Sequence, residues 1–262
     1  MLGSTTVTDA GVSTISGDVG QGDVGVSPGS AITGILPVNV TTGTIHLTDA
    51  PAGLAQNDLT TAYNVAASLS PKESGITELG GRTLVPGVYS GGHLQVTGDL
   101  TLSGSADSVW VFQAASTLKT ASGSHILLTG GATSCNVFWQ VGSSATLGSG
   151  SQFVGTVMAK QAITAVTTAT IRGRLLASNA AVTLDSNVIT APLGCADASG
   201  TTVTTTSGGT GGSNGNLSPA AGNSALALTG VNPTPAIMLS LLLIVAGGGL
   251  ALVGRGRRLR RH

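Results

Sequence analysis

The sequence predicts an all-β solenoid, a three-sided β-helix with one long α-helix packed alongside, followed by a C-terminal transmembrane helix. Three observations carry this. First, residues 136–189 read as three consecutive units of eighteen residues, NVFWQVGSSATLGSGSQF, VGTVMAKQAITAVTTATI and RGRLLASNAAVTLDSNVI, and residues 109–126 (VWVFQAASTLKTASGSHI) repeat the layout. Each unit holds three short β-like pieces punctuated by Gly, Ser, Asn or Ala. Such a unit is too short for a helical hairpin repeat and suits one rung of three sides. Second, 8% of the residues are charged and 3% aromatic, while Gly numbers 40 in 262. A packed α/β enzyme usually carries about 25% charge, whereas small side chains let rungs stack and turns bend. Third, one stretch alone has a convincing helical apolar period.

In chain order, Met1–Thr6 has neither a basic start nor an apolar run, so no signal peptide is visible. Because the C-terminus demands export, a missing leader and missing first residues are expected. Residues 4–48 alternate Thr, Ser, Val and Ile with Gly-Asp turns and read as the first rungs. Asp18 and Asp23 beside Gly fit turn formation better than metal ligation. The helix runs from about 49 to 69: Asp49 can cap it, Pro51 suits its first turn, and Pro71 closes it. Leu54, Ala55, Leu59, Ala62, Val65, Ala66 and Leu69 form its apolar stripe. It is expected to lie along one side, over Trp139, Met158 and Leu176. Residues 75–108 return to strands, and the segment 127–135, LLTGGATSC, separates the first eighteen-residue unit from the others.

The units share a pattern of Thr, apolar, any residue, Thr or Ser: Thr117 to Thr120, Thr146 to Ser149, Thr164 to Thr167 and Thr183 to Ser186. Alternation along a strand sends neighbours to opposite faces. With Leu118, Leu147, Ala165 and Leu184 inward, Thr117, Thr146, Thr164 and Thr183 form one outward file. Strands lie about 4.8 Å apart, so the file is a ladder of methyls and hydroxyls. Ile126, Phe153, Ile171 and Ile189 end the units and form an inward column.

Lys and Arg number 11 against 11 Asp and Glu, but five of the basic residues, Arg255, Arg257, Arg258, Arg260 and Arg261, crowd the last eight positions. The remainder is mildly acidic, with no basic patch for nucleic acid. Residues 109–189 hold one acid, Asp185, and neither paired carboxylates nor a nucleophile–base set, which argues against a polysaccharide-acting β-helix enzyme. No metal or cofactor set stands out. Cys135 and Cys195 either pair in an exported protein or stand as separate thiols.

Leu84-Val85-Pro86-Gly87-Val88-Tyr89, Val111-Phe112-Gln113 and the run from Cys135 to Thr146 (CNVFWQVGSSAT) resemble the microbial ice-binding protein family, also known as the domain of unknown function 3494. So do Ser16 to Gly20, Thr42 to His46, Leu59 to Asn64 and Ala181 to Asp185. The resemblance covers about residues 2–195. It implies a right-handed, discontinuous β-helix with the helix alongside. It also implies binding to an ice crystal surface through one flat face, slowing growth or recrystallisation. The family's ice motif is Thr-Ala/Gly-any-Thr/Asn. Thr164-Ala165-Val166-Thr167 fits it best, and the other three rungs depart at the second position. The expected ice-binding residues are Thr117, Thr120, Thr146, Ser149, Thr164, Thr167, Thr183 and Ser186, with the face through Gln152 and Thr170 as the competitor.

The domain is thus expected to occupy residues 1–195. Residues 196–225 form a Ser/Thr/Gly linker. Then come Leu226-Ala227-Leu228-Thr229-Gly230, an apolar run from 236 to 253 and a basic tail, 254–262. The run is long enough to span a bilayer, and the arginines hold its end in the cytoplasm. This order resembles a sortase cell-wall sorting signal of the Leu-Ala-any-Thr-Gly type. It implies cleavage after Thr229 and transfer to peptidoglycan, leaving the domain outside the cell. A plain membrane anchor is the alternative. The leading expectation is a wall-displayed ice-binding protein, and the alternative is an adhesin or structural surface protein on the same fold.

Overall fold

The structure is a computed structural model and describes residues 1–18 and 21–195. Short strands and one α-helix make up its regular structure, and every strand pair is parallel. The pairs fall into three columns. Gly87–Gly91, Trp110–Ala114 and Val137–Val141 open the first, which continues through the second halves of Gln152–Ala159 and Thr170–Ala177 to Leu2–Gly3, Val24–Val26 and Ile45–Leu47. The second runs Leu94–Val96, Leu118–Thr120, Ala145–Leu147, Ile163–Ala165, Val182–Leu184, Thr6–Asp9, Ala31–Thr33. The third holds Thr83–Leu84, Asp99–Ser103, His125–Thr129, the first halves of the two long strands, Val188–Thr190 and Thr14–Ser16. Each eighteen-residue unit gives one segment to each column, as short β pieces split by small turn residues require.

Stacking order is not chain order. Thr6–Asp9 pairs with Val182–Leu184, and Thr14–Ser16 with Val188–Thr190, so the first strands continue the stack beyond the last unit. The helix, Ala50–Ser68, then returns the chain to the opposite end, where Glu73 and Glu78 bridge to Tyr89 and Gln95. Its 19 residues span about 28 Å, close to the roughly 33 Å of seven inter-strand steps.

The Asp49 carboxylate accepts from the Ala52 N–H at 3.0 Å, the cap expected of Asp before a Pro-containing first turn. Ala52, Ala55, Leu59 and Ala66 are buried, the last three against Leu2, Val111, Met158 and Leu176. Leu54 and Val65, placed in the stripe by sequence, are exposed. A flat sheet face touches only a narrow line of a cylinder, and these two lie on its flanks. Gln113 fastens the far end by donating to the Ala66 and Leu69 carbonyls at 2.8 and 2.9 Å.

Met158 and Leu176 lie under the helix as expected, but Trp139 does not. Val137, Trp139 and Val141 point inward, leaving Phe138 and Gln140 on the helix side; Met158 pairs in register with Gln140. Trp139 instead joins a core stack with Phe112 at 4.0 Å and Phe153 at 5.2 Å between ring centroids, its indole N–H donating to the Val154 carbonyl. Ile126, Phe153, Ile171 and Ile189 form one buried column, which Ile15 continues.

The segment between the units is only partly a connector, since Leu127–Thr129 belongs to the strand His125–Thr129. Cys135 and Cys195 form a disulfide, Cα–Cα 5.6 Å, joining the connector to the segment after the last strand. The expected linker, sorting motif, transmembrane helix and basic tail lie outside the described residues. Among the described residues no helix is long and apolar enough to cross a membrane.

Candidate functional site

The second column has the most regular outer face. Its strands read buried, half-buried, buried at Ala145–Leu147, Ile163–Ala165 and Val182–Leu184. β-Branched residues favour such strands, and the alternation sends their central Thr outward. Cα register aligns Gln95, Lys119, Thr146, Thr164, Thr183, Thr8 and Thr33 in a single file. Five of the seven are Thr, one per inter-strand step of about 4.8 Å. One strand position pair earlier lie Ser144, Ala162, Ala181, Thr6 and Ala31, so the neighbouring surface is built of small side chains.

Of the expected site residues, Thr146, Thr164 and Thr183 stand in this file. Thr117 and Thr120 do not. The connector makes the register offset Leu118↔Ala145, which sets Lys119 opposite Thr146 and carries Thr117 two residues back from the file, beside Ser144. Thr120 falls on the inward side with Leu118, 2% exposed, and its hydroxyl accepts from the Gly148 N–H at 2.8 Å. Ser149, Thr167 and Ser186 lie at the edge, where the chain turns toward the third column. Thr167 donates to an Asp185 oxygen at 2.5 Å, and Ser186 to the other at 3.4 Å. Thr8 and Thr33 belong to the file and were missed. The unit boundaries already held the signal for Thr117, because 109 to 136 is the same offset as 118 to 145. Nothing comparable pointed to Thr8 and Thr33.

The turn into the third column repeats one backbone conformation. Gly98, Gly123 and Gly150 have φ of 73°, 64° and 62°, and Thr168 and Ser186 hold 61° and 54° at the equivalent corner. Glycine takes this region freely and β-branched residues resist it.

The other two faces are covered or less regular. The helix covers the first column. On the third, Gln152, Thr170, Val188 and Thr14 do align, but His125 beside them pairs with Asp99 at 2.9 Å and Arg172 stands in the adjacent file. Strands His125–Thr129 and Gln152–Ala159 pair only at His125↔Gln152, leaving a groove of about 200 Å³ lined by Leu127, Leu128, Val154 and Arg172. The Cys135–Cys195 bridge ties the connector that follows His125–Thr129 to the segment that follows Val188–Thr190, both of them third-column strands. Among the described residues no group of three or more His, Cys, Asp or Glu could hold a metal.

Residues 1–190 match the family described as ice-binding-like. An ice-binding protein of Nostoc sp. (strain HG1) is 48% identical over 194 residues, 72% of this chain and 70% of that protein. One from Flavobacterium frigoris (strain PS1) is 39% identical over 207 residues, 73% of each. Among solved structures, an ice-binding protein from the Antarctic ascomycete Antarctomyces psychrotrophicus superposes with a TM-score of 0.67 at 42% identity, covering 73% of this chain and 93% of that one. With a family match over residues 1–190 and these identities, the chain belongs to the ice-binding-like family.

Proposed function

We propose that this protein binds ice and slows its growth or recrystallisation, adsorbing through the outer face of the second column. The single observation that carries the face is the register file Thr146, Thr164, Thr183, Thr8 and Thr33. The three columns are read as the sides of a right-handed, discontinuous β-helix, rigid enough to hold this file flat. Each Thr offers a methyl that water cannot hydrate well and a hydroxyl that fixes a water in place, so the face orders water into a layer that docks onto the crystal. Family membership and the names of the relatives support ice as the partner.

The test is ice recrystallisation inhibition and thermal hysteresis of the parent, Thr164→Tyr and Thr170→Tyr. Loss in Thr164→Tyr alone, with melting unchanged, supports the second column. Loss in Thr170→Tyr alone moves the site to the third. An inactive, well-folded parent leaves the adhesin or structural reading.

The order Leu226 to Gly230, apolar run and Arg cluster supports sortase transfer of the exported domain to peptidoglycan. Thr229→Ala is then expected to shift the protein from the wall fraction to the membrane fraction.

A further inference from the structure

The second column breaks chain order once, where Thr6–Asp9 settles on Val182–Leu184. These strands have four and three residues and alternate Thr with inward neighbours, so a slip of two residues would keep every side chain on its face. Side chains at the corner between the second and third columns exclude that slip. Asp9 is 6% exposed where the neighbouring rungs carry Leu147, Ala165 and Leu184. Its carboxyl oxygens accept from the Ser13 N–H at 2.7 Å, the Ser13 hydroxyl at 2.8 Å and the Gly11 N–H at 3.3 Å. The Ser13 hydroxyl accepts in turn from the Asn187 N–H at 2.9 Å. Asn187 is buried, and its side-chain amide donates to the Val166 and Ala169 carbonyls at 2.8 and 3.3 Å and accepts from the Asp185 N–H at 2.8 Å. Ser124, Ser151 and Ala169 hold the same corner in the other rungs, and the buried Ser151 hydroxyl has no partner among the described residues. The connected network thus sits where strands distant in the chain meet.

We infer that Asp9, Ser13 and Asn187 are positioning residues, a register lock that holds Thr8 and Thr33 in file with Thr183 for contact with ice. The inference rests on the proposed ice face. A carboxyl group at an inward position is costly unless hydrogen-bonded, and the turn from Asp9 to Ser13 supplies all three donors. A two-residue slip of the second column would draw Ser13 away from Asn187 and leave a buried N–H unpaired. Gly11 packs so closely onto the facing turn that an added Cβ would lie 2.6 Å from the Ser186 nitrogen. A fully satisfied polar network of this kind specifies one arrangement. Thr33 follows, because it pairs in register with Thr8. Without the lock the file divides into Thr146, Thr164 and Thr183 on one side and an unaligned Thr8 and Thr33 on the other.

The experiment uses the full chain and two variants that keep the corner filled. Asp9→Leu installs the residue type of Leu147 and Leu184, and Asn187→Ser that of Ser151; Ser13→Ala serves if either misfolds. Amide exchange at Ala10 and Thr14, whose N–H groups donate across the junction to the Leu184 and Asn187 carbonyls, is expected to speed up while that at Ala145 stays as in the parent. Thermal hysteresis of each variant is expected to fall to the level of Thr33→Tyr in the parent background. Adding Thr33→Tyr then lowers neither variant further, whereas adding Thr164→Tyr does. A network that merely stabilises the fold would speed exchange throughout and leave the effect of Thr33→Tyr intact. Junction amides that exchange as in the parent, or a variant whose activity Thr33→Tyr lowers as much as it lowers the parent's, overturn the inference. Failure of the ice face shows separately, as a parent indifferent to both Thr164→Tyr and Thr33→Tyr; exchange at Ala10 and Thr14 then decides the lock alone.

Discussion

Lys119 and Thr168 are the residues at which the repeat is least regular, and each yields a prediction. Lys119 occupies the file between Gln95 and Thr146, where a long charged side chain stands off a surface otherwise made of Thr. Lys119→Thr lengthens the Thr file by one step and is expected to raise thermal hysteresis at equal protein concentration; unchanged activity would place the working patch wholly among Thr146, Thr164, Thr183, Thr8 and Thr33. Thr168 sits in the left-handed region at φ 61°, where Gly150 serves the preceding rung, and its hydroxyl reaches only the Thr167 carbonyl. Relief of that backbone strain outweighs the greater unfolded-state freedom of Gly. Thr168→Gly is therefore expected to gain about 1 kcal/mol, a rise of roughly 2–4 °C in melting temperature. Thr117 and Thr120 stand outside the file for a reason at this scale too. A four-residue motif repeats by composition, whereas parallel pairing obeys the constant offset set by the whole rung.

The helix joins the two ends of the stack, and its start is a titratable point. Burial pushes the Asp49 carboxyl up, but the Ala52 N–H and the His46 ring at 2.6 Å more than offset this and hold it below its ordinary 3.8. A carboxyl with a depressed folded pKa contributes stability that is present above 3.8 and lost as pH falls through the lower folded value. The parent is expected to lose melting temperature below about pH 4, and Asp49→Asn to flatten that part of the profile. Asp49→Ala at neutral pH is expected to cost about 1 kcal/mol through the lost cap. Capping residue, Pro51 and the closing Pro71 made this helix readable in advance. Which side it buries was not readable, because Leu54 and Val65 satisfy the helical period as well as Leu59 does, and only the line of contact with the sheet excludes them.

For the whole molecule, the rungs cohere through inward columns and one covalent tie. Phe112 stacks between Tyr89 and Trp139 at 5.7 and 4.0 Å and is fully buried. Phe112→Ala is expected to cost about 3–5 kcal/mol by cavity formation, read as a lower midpoint in urea denaturation. The Cys135–Cys195 bridge closes a span of 60 residues holding the last units. Replacing both cysteines with Ser is expected to cost about 2–4 kcal/mol while leaving ice activity at low temperature, since the file lies on another column. The sequence by itself determined the eighteen-residue rung, the inward column through Phe153 and Ile171, the helix and its cap, because each is written in local periodicity and turn chemistry. Tertiary structure alone decided that Thr8 and Thr33 extend the file and that Trp139 lies inside. The physical reason is that parallel pairing joins strands far apart in the chain: Val7 meets Val182, and no local pattern encodes where a discontinuous stack resumes.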